Sequence, residues 1–151
     1  MRRPAGVFVL GLLAACATAP AVSFSGRYTG NEAASVMNGA HVPPEFVYLI
    51  EDDRTTLHLL QTFIGADGKP ARNEWRGAAD GERRMAIGEP PHALAVSRTP
   101  RGELIIRGYS AEGAPQGEEI CVLHSDGTGF TCRNLAGGSA KPFSYVFDRI
   151  G

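Results

Sequence analysis

The sequence predicts an all-β domain: an antiparallel meander of about eight to ten short strands, closed most simply as an up-and-down barrel, with one short helix after the first strand. Three observations lead there. Apolar and polar residues alternate with period two in one segment after another. Asp-Gly pairs, prolines and glycines punctuate the chain between those segments, which contains 19 glycines and 10 prolines. Only one stretch has helical spacing. A meander favours closure because a barrel has no exposed strand edges; a two-sheet β-sandwich is the alternative.

Residues 24–29 alternate Phe24, Gly26 and Tyr28 against Ser25, Arg27 and Thr29, as a half-buried strand does. Asn31–Gly39 can hold the helix, with Asn31 as N-cap, Glu32 in the first turn, Ala33, Val36 and Met37 on one face, Gly39 as the stop and Pro43-Pro44 beyond it. Residues 46–50 and 55–64 then flank Asp52-Asp53 as a hairpin. Asp67-Gly68 turns the chain into residues 71–78, where Ala71, Asn73, Trp75 and Gly77 share a face and Trp75 points inward among small neighbours. After the Asp80-Gly81 turn come residues 83–87, and after Pro90-Pro91 residues 92–98. Residues 103–110 set Leu104, Ile106 and Gly108 against Glu103, Arg107 and Tyr109, the alternation of a sheet with one wet side. The last strands are 118–124, 129–135 and 143–148, the final one aligning Phe143, Tyr145 and Phe147.

Cys121 and Cys132 fall in one of these hairpins. With Asp126-Gly127 at the turn, Leu123 faces Phe130 and Cys121 faces Cys132, all four on one face. A disulfide is therefore expected, and the spacing lacks the Cys-x-x-Cys pattern of redox or metal pairs.

The N-terminus sets the compartment. Arg2-Arg3 precede a short apolar run from Val7 to Leu13, far below the roughly 20 apolar residues of a membrane span, and Leu13-Ala14-Ala15-Cys16 closes it. This stretch resembles the lipobox of bacterial lipoproteins. The resemblance covers residues 1–16 and implies a signal peptide over 1–15, fatty acylation of Cys16, a tether over 16–23 and a single β-rich domain over 24–151. Ala17 after the cysteine favours the outer membrane facing the periplasm over retention in the inner membrane. An exported location also suits the disulfide. Within the domain, Gly26-Arg27-Tyr28 and Arg149 are similar to the glycine-x-tryptophan and C-terminal arginine of lipocalins, with tyrosine in place of the tryptophan.

Removing residues 1–15 takes away Arg2 and Arg3 and leaves 13 basic against 16 acidic side chains. That balance lacks the basic footprint of a nucleic-acid binder. No catalytic constellation, cofactor or metal site is expected. His124-Ser125-Asp126 enters a tight turn and cannot converge as a triad. Glu51-Asp52-Asp53 lacks the spaced ligands of a calcium loop and reads as a solvated hairpin tip. His41, His58, His92 and His124 are scattered. Tyr28 and Trp75 are the candidate ligand contacts should the interior hold a cavity. These features point to a noncatalytic lipoprotein, anchored to membrane lipid through Cys16, that binds a small apolar ligand or an envelope component. The alternative is a protein-binding inhibitor or immunity lipoprotein acting against an envelope hydrolase or toxin.

Overall fold

The structure is a computed structural model that describes residues 23–135 and 141–151. Cys16 and the leader lie outside the described residues. Ten strands follow one another: β1 (Gly26–Gly30), β2 (Val47–Asp52), β3 (Thr56–Ile64), β4 (Pro70–Ala78), β5 (Asp80–Ala86), β6 (His92–Arg98), β7 (Leu104–Ser110), β8 (Pro115–Leu123), β9 (Gly129–Asn134) and β10 (Ser144–Arg149). They form one antiparallel sheet in the order β4-β3-β2-β1-β10-β9-β8-β7-β6-β5. Each strand pairs with a sequence neighbour, and β1 pairs with β10. The two edges, β4 and β5, are consecutive in the chain and meet through a single bridge, Glu74 to Ile87, with both N–H···O distances 2.8 Å. The result is a nearly closed up-and-down barrel rather than two sheets.

The helix expected over Asn31–Gly39 is instead one 3₁₀ turn, Glu32–Ala34, capped by the Asn31 side chain accepting from the Ala34 amide at 3.0 Å. Helical spacing loses here because its apolar face has nothing to cover. Val36 is 55 % exposed and exchanges backbone hydrogen bonds with Ser144 at 2.8 and 3.1 Å, extending the sheet. Asn38 and Gly39 then take positive φ, which ends any helical path.

Period two assigns the barrel interior. Tyr48 and Ile50 on β2, Leu57 and Leu59 on β3, Trp75 on β4, Leu104 and Ile106 on β7 and Phe130 on β9 all join one buried cluster. Phe130 is its hub, with ring centroids 4.6 Å from Phe147, 4.8 Å from Tyr28, 5.6 Å from Phe24 and 5.9 Å from Tyr48. Trp75 fits because Gly77, two residues on along the same face, has no side chain: a Cβ there would sit 2.8 Å from Trp75 Cζ2.

One end of the barrel is sealed. Asp52, which the sequence places at a solvated hairpin tip, has a side chain with 0 % exposure. Its carboxylate accepts from Arg98 Nη2 at 2.7 Å, from the Phe24 amide at 2.9 Å and from the Arg54 amide at 2.8 Å. Beside it Arg149 lies over the Tyr28 ring, 5.2 Å from its centroid, and donates to the Tyr28 hydroxyl at 3.0 Å and the Ser25 carbonyl at 3.2 Å. The Tyr28 hydroxyl in turn donates to the Phe24 carbonyl at 2.8 Å.

Cys121 and Cys132 are directly opposed in the β8–β9 register, with Leu123 opposite Phe130, and are joined as a disulfide with Cα atoms 4.0 Å apart. The chain-entropy model assigns a loop this short about 3 kcal/mol. Reduction, or the double substitution Cys121→Ala/Cys132→Ala, is expected to lower unfolding free energy by about that amount, read from urea titrations with and without reductant. The sealed end gives a second expectation. Asp52→Ala strands the Arg98 guanidinium and should cost about 3–5 kcal/mol; a loss below about 1 kcal/mol in the same titration would show that the ion pair does not organise this end.

Candidate functional site: a hollow around Glu119

The opposite end of the barrel is hollow. Strand register brings Gln61 of β3 opposite Asn73 of β4, and Glu119 of β8 opposite Ile106 of β7 and Asn134 of β9. Three cavities of about 170, 300 and 380 Å³ lie there, and Glu119 lines all of them. Glu119 is the wall residue common to all three, and the first also shares Tyr48 and Gln61 with the second and Leu94 and Ile106 with the third, so they are adjoining lobes around its side chain. The first lobe runs between Trp75, Leu59, Leu94, Ile106 and Ala86, with Gln61, Asn73, Glu74 and His92 adding polar groups. Asn73 donates to Gln61 Oε1 at 3.4 Å. The second runs beneath the β1–β2 connection, between Phe46, Tyr48, Tyr145 and Phe147, with Met37, His41 and Val42 at its edge. The third lies towards Gly108, Gln116 and Phe143.

Glu119 points inward because it is two residues before Cys121, whose direction the disulfide fixes. Burial pushes its carboxyl up to about 7, with no hydrogen bond or counter-charge opposing the shift. The Tyr48 phenol is raised as well, mainly by burial and further by the Glu119 charge, so the two groups share one low-dielectric space. Trp75 Nε1–H is buried with no hydrogen-bond partner among the described residues.

Of the two aromatic residues singled out from the sequence, Trp75 lines the first lobe, whereas Tyr28 is wholly buried at the sealed end with its hydroxyl committed to Phe24 and Arg149. The residues that sequence reading missed are Glu119, Gln61, Asn73 and Tyr48. Glu119 carried a signal: it shares the parity of Cys121 and Leu123.

Other clusters offer less chemistry. The Glu119 carboxyl and the two cysteine sulfurs lie within 4.8 Å of one another, but the sulfurs are bonded to each other, which leaves a metal only one carboxylate. His58 sits on the outer face between Glu51 and Glu74, 2.9 Å from each, with Arg76 at 3.0 Å. His124, Ser125 and Asp126 form the β8–β9 turn, where Asp126 accepts from the Thr128 amide and hydroxyl. Compared with protein-family models, curated proteins and solved structures, the chain matches none.

Glu119 links the hollow to stability. A carboxyl raised by folding from 4.5 to about 7 stabilises the fold while protonated. That contribution is fully present below about 4.5 and is lost as pH rises through about 7. It amounts to at most about 3 kcal/mol. Asp53, Asp80 and Asp126 are held below the usual carboxylate range chiefly by hydrogen bonds from the Thr56 amide, Arg84 and Thr128. Their stabilisation is lost only as pH falls below the ordinary carboxylate values, outside this window. The Tm of the wild type should therefore decline from about pH 5 to pH 8 relative to that of Glu119→Gln; parallel curves would show that the carboxyl is well solvated.

Proposed function

We propose that this barrel is a noncatalytic binding protein, held at the cell envelope by acylated Cys16, whose hollow end takes a small, mainly apolar molecule. The observation that carries the reading is the meeting of three lobes at Glu119. Apolar and aromatic walls with a few converging polar groups are the usual make-up of a small-molecule site. The lipobox-like leader supports the location, and the disulfide suits an oxidising compartment. The Tyr28–Arg149 contact joins the two residues on which the likeness to lipocalins rests, and supports that likeness at the level of architecture. Ser23 enters at the sealed end, where its hydroxyl donates to the Asp52 carbonyl at 3.1 Å.

A second reading, a protein-binding inhibitor or immunity factor, draws on Met85 and Ile87, 60 % and 56 % exposed beside the β4–β5 seam. Trp75 is the only tryptophan, so its fluorescence reports on the first lobe. Titration of the full chain with an envelope lipid extract should change that fluorescence and leave a bound species in native mass spectrometry. Leu94→Phe, which fills space shared by two lobes, should weaken binding about tenfold. An unchanged signal with wild type, together with capture of an envelope protein, would favour the second reading.

A further inference from the structure

Three carboxylates and two histidines line the hollow: Glu74 is paired with His58 and Arg72, Glu118 with Arg107 and His41 with Glu32, and His92 bonds the Pro90 carbonyl, whereas Glu119 has no such role in the fold. An unpaired carboxyl inside a barrel costs stability, and a position serving packing alone would be apolar or paired. Elsewhere the arginines that reach into the barrel have partners: Arg98 is on Asp52 and Arg149 is on Tyr28. Among the described residues Glu119 has no such partner. None of the three lobes is lined by a lysine or arginine among the described residues. A ligand carboxylate would find no counter-charge there and would meet Glu119 itself. Aromatic rings at Tyr48, Trp75 and Phe147 border the same space, and such ring faces attract a cation.

We propose that the ligand carries a protonated amine that pairs with the Glu119 carboxylate, while its apolar part fills the lobes beside Trp75, Tyr48 and Ile106. This rests on the binding reading above and gives it a chemical class: lipophilic amines rather than fatty acids or neutral alcohols. A charge-assisted hydrogen bond in a partly desolvated site is worth about a tenfold or greater preference.

The test is calorimetric titration of the full chain with octylammonium, octanol and octanoate at about pH 8.5, where Glu119 is ionised and the amine still charged. Octylammonium should bind at least about tenfold more tightly than octanol, with octanoate weakest, and Glu119→Gln should bring the ammonium down to the level of the alcohol. Octanoate binding as tightly as octylammonium, or a preference for the amine that survives Glu119→Gln, would overturn the assignment. Equal binding of alcohol and amine would remove the amine while the cavity reading stands. Failure of all three probes to bind would remove both. The three-probe comparison on the unaltered chain decides the matter even if the variant folds poorly.

Discussion

The pairing of β1 with β10 is the constraint on which the rest of the molecule depends. Every other pairing in the sheet joins strands that follow one another along the chain, most of them over short turns, the longest connection being residues 31–46 between β1 and β2. The pairs Tyr28–Arg149, Thr29–Asp148 and Gly30–Phe147 join the first and last strands of the barrel. The contact is reinforced on both sides: Asn31 donates its backbone to the Val146 carbonyl and its side-chain amide to Asp148, each at 2.8 Å, and the Ile150 amide reaches the Arg27 carbonyl at 2.8 Å. Without this seam the ten strands would be an open ribbon with two long edges and no enclosed interior. The second seam, between β4 and β5, needs only one bridge because the chain itself joins the strands there.

Closure produces two unlike ends. At one, the segment entering β1 folds under the barrel and supplies Phe24 to the Phe130 cluster, and Arg98 and Arg149 fill what remains, Arg98 donating to Asp52 and Gly102 and Arg149 to Tyr28, Ser25 and Gly127, while Arg98 Nε–H has no partner among the described residues. Charge is tolerated there because it is paired. At the other end the inward positions change from large aliphatic and aromatic residues to Gly108, Ala86, Gln61, Asn73 and Glu119, which cannot fill the space. The disulfide stands at the boundary, with Cys132 in the wall of one lobe and both sulfurs in the packed cluster. It fixes the strand that carries Glu119, so the carboxyl projects into the hollow from a strand cross-linked to its neighbour.

Much of this was legible in the chain. The ten alternating segments became ten strands with ends displaced by at most a few residues, and residues 92–98 became β6 without change. The β8–β9 register followed from one Asp-Gly turn, because period two leaves little freedom once the turn is placed. The helix was misread for want of a partner surface: spacing proposes an apolar face, but only packing retains it. Asp52 was misread as part of a solvated tip and Glu119 was missed, for a common reason. A carboxylate in a strand normally marks the wet face, yet both share parity with residues that had to face inward, Ile50 for one and Cys121 for the other.

The sequence alone determined the strands, the turns between them, the pairing of neighbours and the opposition of Cys121 and Cys132. Apart from the β1–β2 pairing, which spans a longer connection, these are set by alternation and by turn chemistry acting over a dozen residues or fewer. Tertiary structure alone decided which end is sealed and which is hollow, that Tyr28 belongs to the first and Trp75 to the second, and that Glu119 stands unpaired where three lobes join. Those outcomes depend on curvature and closure, which set side by side residues far apart in the chain, such as Tyr48 and Glu119, and no local pattern encodes that distance.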